Sequence, residues 1–187
     1  TKTPLWVAEN LNSTKVNAEK EERTENFSAD PDVPKRAQAT LSDYKGSHFD
    51  RGHMAPAADM YLETSDQDLK SEAMSESFYL TNMVPQVGMN MNRGIWADLE
   101  AQVRLWAADR ENLLVVTGPI FDNKEQPVLL GRSEVWVPSR LYKVIYDPKT
   151  GANIAFILPN VQVITSRTRS LDSGNPDFVQ TQESKAI

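Results

Sequence analysis

The sequence predicts an α+β protein, a central and mostly antiparallel sheet flanked by helices. Short apolar runs such as Leu113-Leu114-Val115-Val116 are too brief for helices and suit buried strands. Residues 141–146 and 154–158 are joined by Asp147-Pro148-Lys149-Thr150-Gly151, a turn whose chemistry and length predict a hairpin. Residues 92–109 repeat their apolar positions at helical spacing.

The remaining elements follow in chain order. Pro4-Leu5-Trp6-Val7-Ala8 reads as a short strand. Residues 13–40 are polar, carry Pro31 and Pro34, and read as a long loop; 42–47 read as a second loop leading to His53. Thr64 with Gln67 three positions on suggests a capping box for a helix running to about residue 74. Ser77-Phe78-Tyr79-Leu80-Thr81 reads as a strand ended by Pro85, and Gly118-Pro119 bounds the strand at 113–116. Val135-Trp136-Val137 is a further strand. From Thr165 the chain turns polar, so 165–187 is expected to be a loosely packed tail of one domain spanning 1–187.

Composition narrows the chemistry. The chain has no cysteine and only His48 and His53, which removes thiolate nucleophiles, disulfides and imidazole-rich zinc sites. A metal here should be a hard cation held by oxygens. No stretch approaches the roughly 18 apolar residues of a membrane span. The net charge of −6 opposes tight coating of nucleic acid, although a few convergent arginines suffice for one phosphate.

Asp50-Arg51-Gly52-His53 places a carboxylate, a guanidinium, a glycine and an imidazole in succession. Neutral histidine suits a general base near pH 7, and arginine forks match phosphate oxygens. The glycine permits either an unusual backbone conformation or a close approach. A turn with a surface histidine is the plain alternative for these four residues alone. His48 reads as a solvated neighbour rather than a second base.

Projected at about 100° per residue, Ile95, Trp96, Leu99, Val103 and Trp106 fall within about 60° of Asn92. Asn92 therefore heads an apolar stripe at the first helical turn, where its amide oxygen either caps the helix or meets a hard cation. Glu100 and Arg104 flank the stripe four residues apart and are expected to pair.

The combination resembles the DNA/RNA non-specific endonucleases, the ββα-metal nucleases that include mitochondrial endonuclease G and secreted bacterial enzymes. The resemblance runs from Pro4-Leu5-Trp6 to about Phe156. It rests on Phe49-Asp50-Arg51-Gly52-His53-Met54-Ala55-Pro56-Ala57-Ala58-Asp59, on Leu80-Thr81-Asn82-Met83-Val84-Pro85-Gln86, and on Asn92-Arg93-Gly94-Ile95-Trp96 with Leu99-Glu100. Val116-Thr117-Gly118-Pro119 adds a further match. It implies a ββα-metal motif with His53 as general base and Asn92 as the one side chain bound directly to magnesium, manganese being able to substitute. Glu100 would hold metal-bound waters, and Arg104 would lie near the scissile phosphate. Asp50 and Arg51 would support the motif, Asn82 would orient the imidazole, and Arg23 would contact phosphate. The final segment, 170–187, does not reproduce the family's usual C-terminal element.

The implied reaction is single-metal hydrolysis of DNA and RNA to 5′-phosphate ends, with contacts to phosphate and none to a membrane. The expected setting is secreted or periplasmic and bacterial. A protein of this fold that binds without cutting, a hydrolase of small phosphate esters and a site-specific endonuclease are the competing readings. Monomer and homodimer both remain open, as does an inhibitor protein.

Overall fold

The computed structural model describes residues 1–20, 22–122 and 125–162. The first half holds β1 (Val7–Leu11), α1 (Ser13–Asn17), α2 (Leu41–Tyr44), β2 (Phe49–His53), α3 (Gln67–Glu76) and β3 (Met83–Val87). The second half holds α4 (Ala97–Ala108), β4 (Leu113–Ile120), β5 (Leu129–Leu130), β6 (Val135–Trp136), β7 (Arg140–Tyr146) and β8 (Asn153–Pro159).

The main sheet has the order β1-β4-β7-β8, with every neighbouring pair antiparallel. Period-two burial builds it: Leu141, Lys143 and Ile145 of β7 turn inward, as do Leu113, Val115 and Thr117 of β4. Helix α4 supplies the opposing layer through Leu99, Val103 and Ala107, and the core between them also takes Met54, Val84 and Trp96. The expected α+β class holds.

The hairpin turn behaves as its residues dictate. The Asp147 carboxylate accepts from the backbone of Lys149 and Thr150, and Gly151 closes the turn at φ +74°. A separate antiparallel ribbon pairs β2 with β3, from Phe49↔Val87 to His53↔Met83. The chain then passes through residues 88–96 into α4, giving the ββα arrangement around which the site is built.

Several boundaries differ from expectation. The first strand is Val7–Leu11, shifted past Pro4, and the loop at 13–40 opens with the short α1 capped by Asn12. Residues 42–47 include most of α2, whose capping box pairs Thr40 with Asp43. Asp66, not Thr64, caps α3 by accepting from Asp68 and Leu69. Residues 77–81 form no strand; Tyr79 makes one bridge to Ser28, and β3 starts at Met83 and runs through Pro85. Proline is tolerated because the ribbon has only two strands, and the Pro85 carbonyl is satisfied by Asn160. Strand β4 likewise continues through Gly118-Pro119, where β1 has ended and only β7 lies alongside. The expected tail at 165–187 lies outside the described residues.

Asn160 ties ribbon to sheet. It sits just past β8, accepts from Val87 N at 2.9 Å, and donates to Pro85 O at 3.0 Å and Pro138 O at 2.9 Å. Asn160→Ala strips partners from buried backbone groups and should cost about 2–4 kcal/mol of stability, read by urea unfolding. A loss under about 1 kcal/mol would mean that water replaces the clamp.

Candidate active site

Strand β2 carries two chemical groups on opposite faces, as strand geometry requires of residues three apart. On one face the Asp50 carboxylate accepts from Asn92 Nδ2 at 2.9 Å and pairs with Arg93 Nε at 3.0 Å. A carboxylate only accepts, so the nitrogen of the Asn92 amide must face Asp50 and its oxygen must face away. That leaves a hard oxygen donor, oriented by a neighbouring anion, with no hydrogen-bond partner among the described residues. No group of three or more His, Cys, Asp or Glu side chains among the described residues is arranged to hold a metal. The Asn92 oxygen fits a magnesium ion that retains most of its water shell.

The path that brings Asn92 there is not the expected helix. Residues 88–96 form a wide, kinked segment that leaves helical geometry at Met89, Asn90, Arg93 and Gly94, and regular helix begins only at Ala97. The projection holds for Trp96, Leu99 and Val103, which are buried, and for Trp106, which packs against the core, but the kink resets the phase N-terminal to them. Ile95, expected inside, is 40% exposed, and Asn92 is half-buried beside Asp50 rather than central in an apolar stripe.

His53 ends β2 and is buried. Its ring meets Phe78 edge-on with centroids 4.9 Å apart, and lies 5.8 Å from Phe27. Burial first, and then the charge of Arg23, pull its pKa down to about 4. The imidazole is therefore neutral at physiological pH. Nε2 is buried without a hydrogen-bond partner among the described residues, whereas Nδ1 is not among the buried unpartnered atoms. With the proton on Nε2, the lone pair of Nδ1 is the one free to take a proton from water. His48 is exposed, as expected.

Asn82 does not touch the imidazole. Its side chain accepts from Ala55 N and donates to Ala55 O and Ser77 O, so it fixes the loop immediately after His53. The expected role of orienting the ring becomes one of orienting the backbone behind it. Arg23 lies 5.1 Å over the Phe78 ring and pairs with Glu25, and Arg51 lies 4.0 Å over Phe27. The same aromatic pair thus carries both arginines and flanks His53. Arg23, Arg51, Asp50 and Asn92 line one cavity of about 570 Å³, with Phe27 in its wall and Lys45 and Arg93 adding positive charge.

Glu100 and Arg104 do not line that cavity, and they are not the pair that their spacing suggested. Arg104 donates to Asp59 at 2.9 Å, and Asp59 is buried. The Asp59 carboxylate and the fold's convergence outcompete the i, i+4 partner, because a buried anion needs its counter-charge more. Burial of the Glu100 carboxyl pushes it up to about 7, with Lys143 opposing that rise and Asp59 reinforcing it. Glu9 is driven up to about 8, mainly by burial and then by Asp59. Lys143, 1% exposed, donates to Thr117 at 2.7 Å and lies 5.3 Å over Trp96. Sequence reasoning passed over Glu9, Asp59 and Lys143. The readable signal was Lys143 itself, a lysine at an inward position of the alternating run Leu141-Tyr142-Lys143-Val144-Ile145.

Gly52 needs no special φ; its requirement is space. A Cβ there would overlap Gln86 Oε1 and lie 2.7 Å from Gln86 Cβ. Of the two explanations open from sequence, close approach is the right one.

A two-stranded ribbon leading through a kink into a helix, with a neutral imidazole on the ribbon and an oriented amide at the kink, defines a ββα-metal site. The DNA/RNA non-specific endonuclease model matches residues 1–184. The chain belongs to the DNA/RNA non-specific endonuclease family. It is 40% identical over 172 residues to the Xenopus laevis mitochondrial nuclease EXOG, covering 85% of this chain and 46% of that one. It is 35% identical to the Schizosaccharomyces pombe mitochondrial nuclease 1, covering 86% and 52%. A crystal structure of the EndoG/EndoGI complex, which addresses EndoG inhibition, superposes with a TM-score of 0.75 at 31% identity, covering 90% of this chain and 71% of that one. The chain spans about half the length of these two nucleases. Their names overturn the expected secreted or periplasmic bacterial setting, since both are mitochondrial. No helix among the described residues is long and apolar enough to cross a membrane.

The depressed pKa of His53 has a checkable sign. The unfolded chain takes up the proton near pH 6.5 and the folded one only near 4, so the His53 contribution is complete above 6.5 and is lost as pH falls toward 4. The loss amounts to roughly 3 kcal/mol across that window, and His53→Phe should abolish it in urea titrations at successive pH values. A His53 midpoint of 6 or above by NMR would contradict the burial argument.

Proposed function

We propose that this chain, as one domain over 1–187, hydrolyses phosphodiester bonds of DNA and RNA with magnesium as its metal. In this reading it leaves 5′-phosphate ends and distinguishes neither sequence nor sugar. Family membership supports phosphodiester chemistry. The observation that carries the assignment to these residues is the Asp50–Asn92 hydrogen bond, which presents an amide oxygen beside a cleft lined by Arg23 and Arg51.

Asn92 Oδ1 would hold the cation, and Glu100 would accept from water around it. When bound, the cation supplies positive charge to the phosphate and the leaving oxygen. His53, neutral and with Nδ1 free, takes the proton from the attacking water. Arg51 and Arg23, steadied on Phe27 and Phe78, face phosphate oxygens and oppose the added negative charge. Arg104, held by Asp59, adds a fixed cation behind them. These groups suit the backbone of a nucleic acid and none of them reads a base edge, so one site can serve many sequences. Manganese, another oxygen-seeking divalent ion, should replace magnesium. The names of the relatives support a mitochondrial setting.

Plasmid DNA and ribosomal RNA incubated with the protein and magnesium should both degrade to smears, and EDTA should stop both. His53→Ala should lower kcat by roughly 10²–10⁴-fold with little change in substrate binding. Asn92→Ala should raise the magnesium concentration needed for half-maximal rate. Near-normal turnover by His53→Ala, or an unchanged metal requirement in Asn92→Ala, would remove that residue from its assigned role.

A further inference from the structure

At two glycines of the ββα region, Gly52 and Gly88, the space a Cβ would fill is taken by polar side chains that include one from across the ribbon. A Cβ on Gly88 would come within 2.8 Å of both Asp50 carboxylate oxygens and 2.5 Å of Arg93 Nη2. A Cβ on Gly52 would overlap the carboxamide of Gln86. Asp50 and Gln86 are themselves cross-strand partners, so they share a face of the ribbon. Asp50 therefore packs into the space left by Gly88, and Gln86 into the space left by Gly52. Gly52 directly precedes His53, and Asp50 holds Asn92.

Gln86 is fully buried, and neither its Oε1 nor its Nε2 has a hydrogen-bond partner among the described residues. Such a side chain costs stability, at about 1–3 kcal/mol for each unsatisfied group, where an apolar residue of the same length would not. Among the described residues, neither core packing nor a hydrogen bond accounts for an amide at this point. Its place in the ribbon does: it packs against Gly52, next to His53, while lying opposite Asp50, the residue that orients Asn92.

We infer that Gln86 is a positioning residue: its carboxamide, seated on Gly52, sets the backbone that carries His53 relative to the Asp50–Asn92 pair. It acts through Gly52 and its strand neighbours and does not touch substrate. The inference rests on the endonuclease reading for its catalytic consequence, but the fit between Gln86 and Gly52 is independent of what the site cleaves.

Second-site suppression tests it. Gly52→Ala, Gln86→Gly and the double variant are compared by thermal unfolding and by kcat and KM on a linear DNA substrate, well below each unfolding midpoint. Gly52→Ala should lower both the midpoint and kcat, because the new methyl collides with the carboxamide; KM should change little. Adding Gln86→Gly removes both the carboxamide and the Cβ that would stand 2.7 Å from that methyl; it should raise the midpoint above that of Gly52→Ala and recover at least about tenfold of the lost kcat, the equivalent of about 1.4 kcal/mol in barrier. Gln86→Met keeps the length and removes the amide. It should raise the midpoint, since the unsatisfied amide is gone, and lower kcat at unchanged KM.

A double variant no better than Gly52→Ala in either readout would overturn the fit. Recovery of the midpoint without kcat, or full kcat in Gln86→Met, would reduce Gln86 to packing and overturn the positioning role. Absence of cleavage by the parent protein would instead count against the proposed function, while the unfolding arm would still report on the fit.

Discussion

The hydrogen bond from Asn92 to Asp50 joins the two halves of the site, and most of the local architecture exists to make it. Asp50 sits on β2, a strand fixed by pairing with β3; Asn92 sits on a kinked segment between β3 and α4. Only a chain that reverses through the ribbon and then breaks helical geometry can return an amide to the strand that carries the imidazole. Gly88 lets the carboxylate lie flat against that turn, and Arg93 compensates the charge from the far side. The carboxylate thereby decides which end of the amide faces outward, a choice that a neutral partner would leave open.

Charge elsewhere is sorted by depth. The chain is acidic overall, yet the cavity beside Asn92 collects Arg23, Lys45, Arg51 and Arg93. Away from that cavity's lining, Glu9, Asp59 and Glu100 lie close to Lys143, and Asp59 pairs with Arg104; burial first, and then mutual repulsion, leaves Glu9 and Glu100 near or above neutrality. In the proposed function, an acidic surface with a local basic cleft would let a nucleic acid bind through a few phosphates and leave readily after cleavage.

Much of this was legible in the residues. The hairpin at 141–158, the pairing of short strands and the succession Asp50-Arg51-Gly52-His53 all rest on local chemistry that survives folding. The failures have a common cause, which is tertiary context. Helical periodicity was read through Arg93 and Gly94 as though the helix were continuous, so Ile95 was placed inside and Asn92 at the centre of a stripe. Glu100 and Arg104 were paired by spacing alone, while Asp59, forty-five positions upstream of Arg104, was the nearer carboxylate in space. Asn82 was assigned to the ring when its amide serves the next loop. Prolines 85 and 119 were read as strand ends, although each falls where its strand lacks one neighbour. Gln86 stands in the motif Leu80 to Gln86 that carries the resemblance, yet the sequence offers no role for it, since its importance lies in what it displaces at Gly52.

Asp50 turns the Asn92 oxygen outward, and in the proposed function that oxygen holds a divalent cation. Anomalous diffraction from crystals soaked in manganese tests it directly, because the ion is located without reference to activity. The account requires a peak at ordinary metal–oxygen distance from Asn92 Oδ1, with Asn92 Nδ2 still on Asp50. A peak bonded to the Asp50 carboxylate with the Asn92 amide turned away, or no peak near either residue, would contradict it.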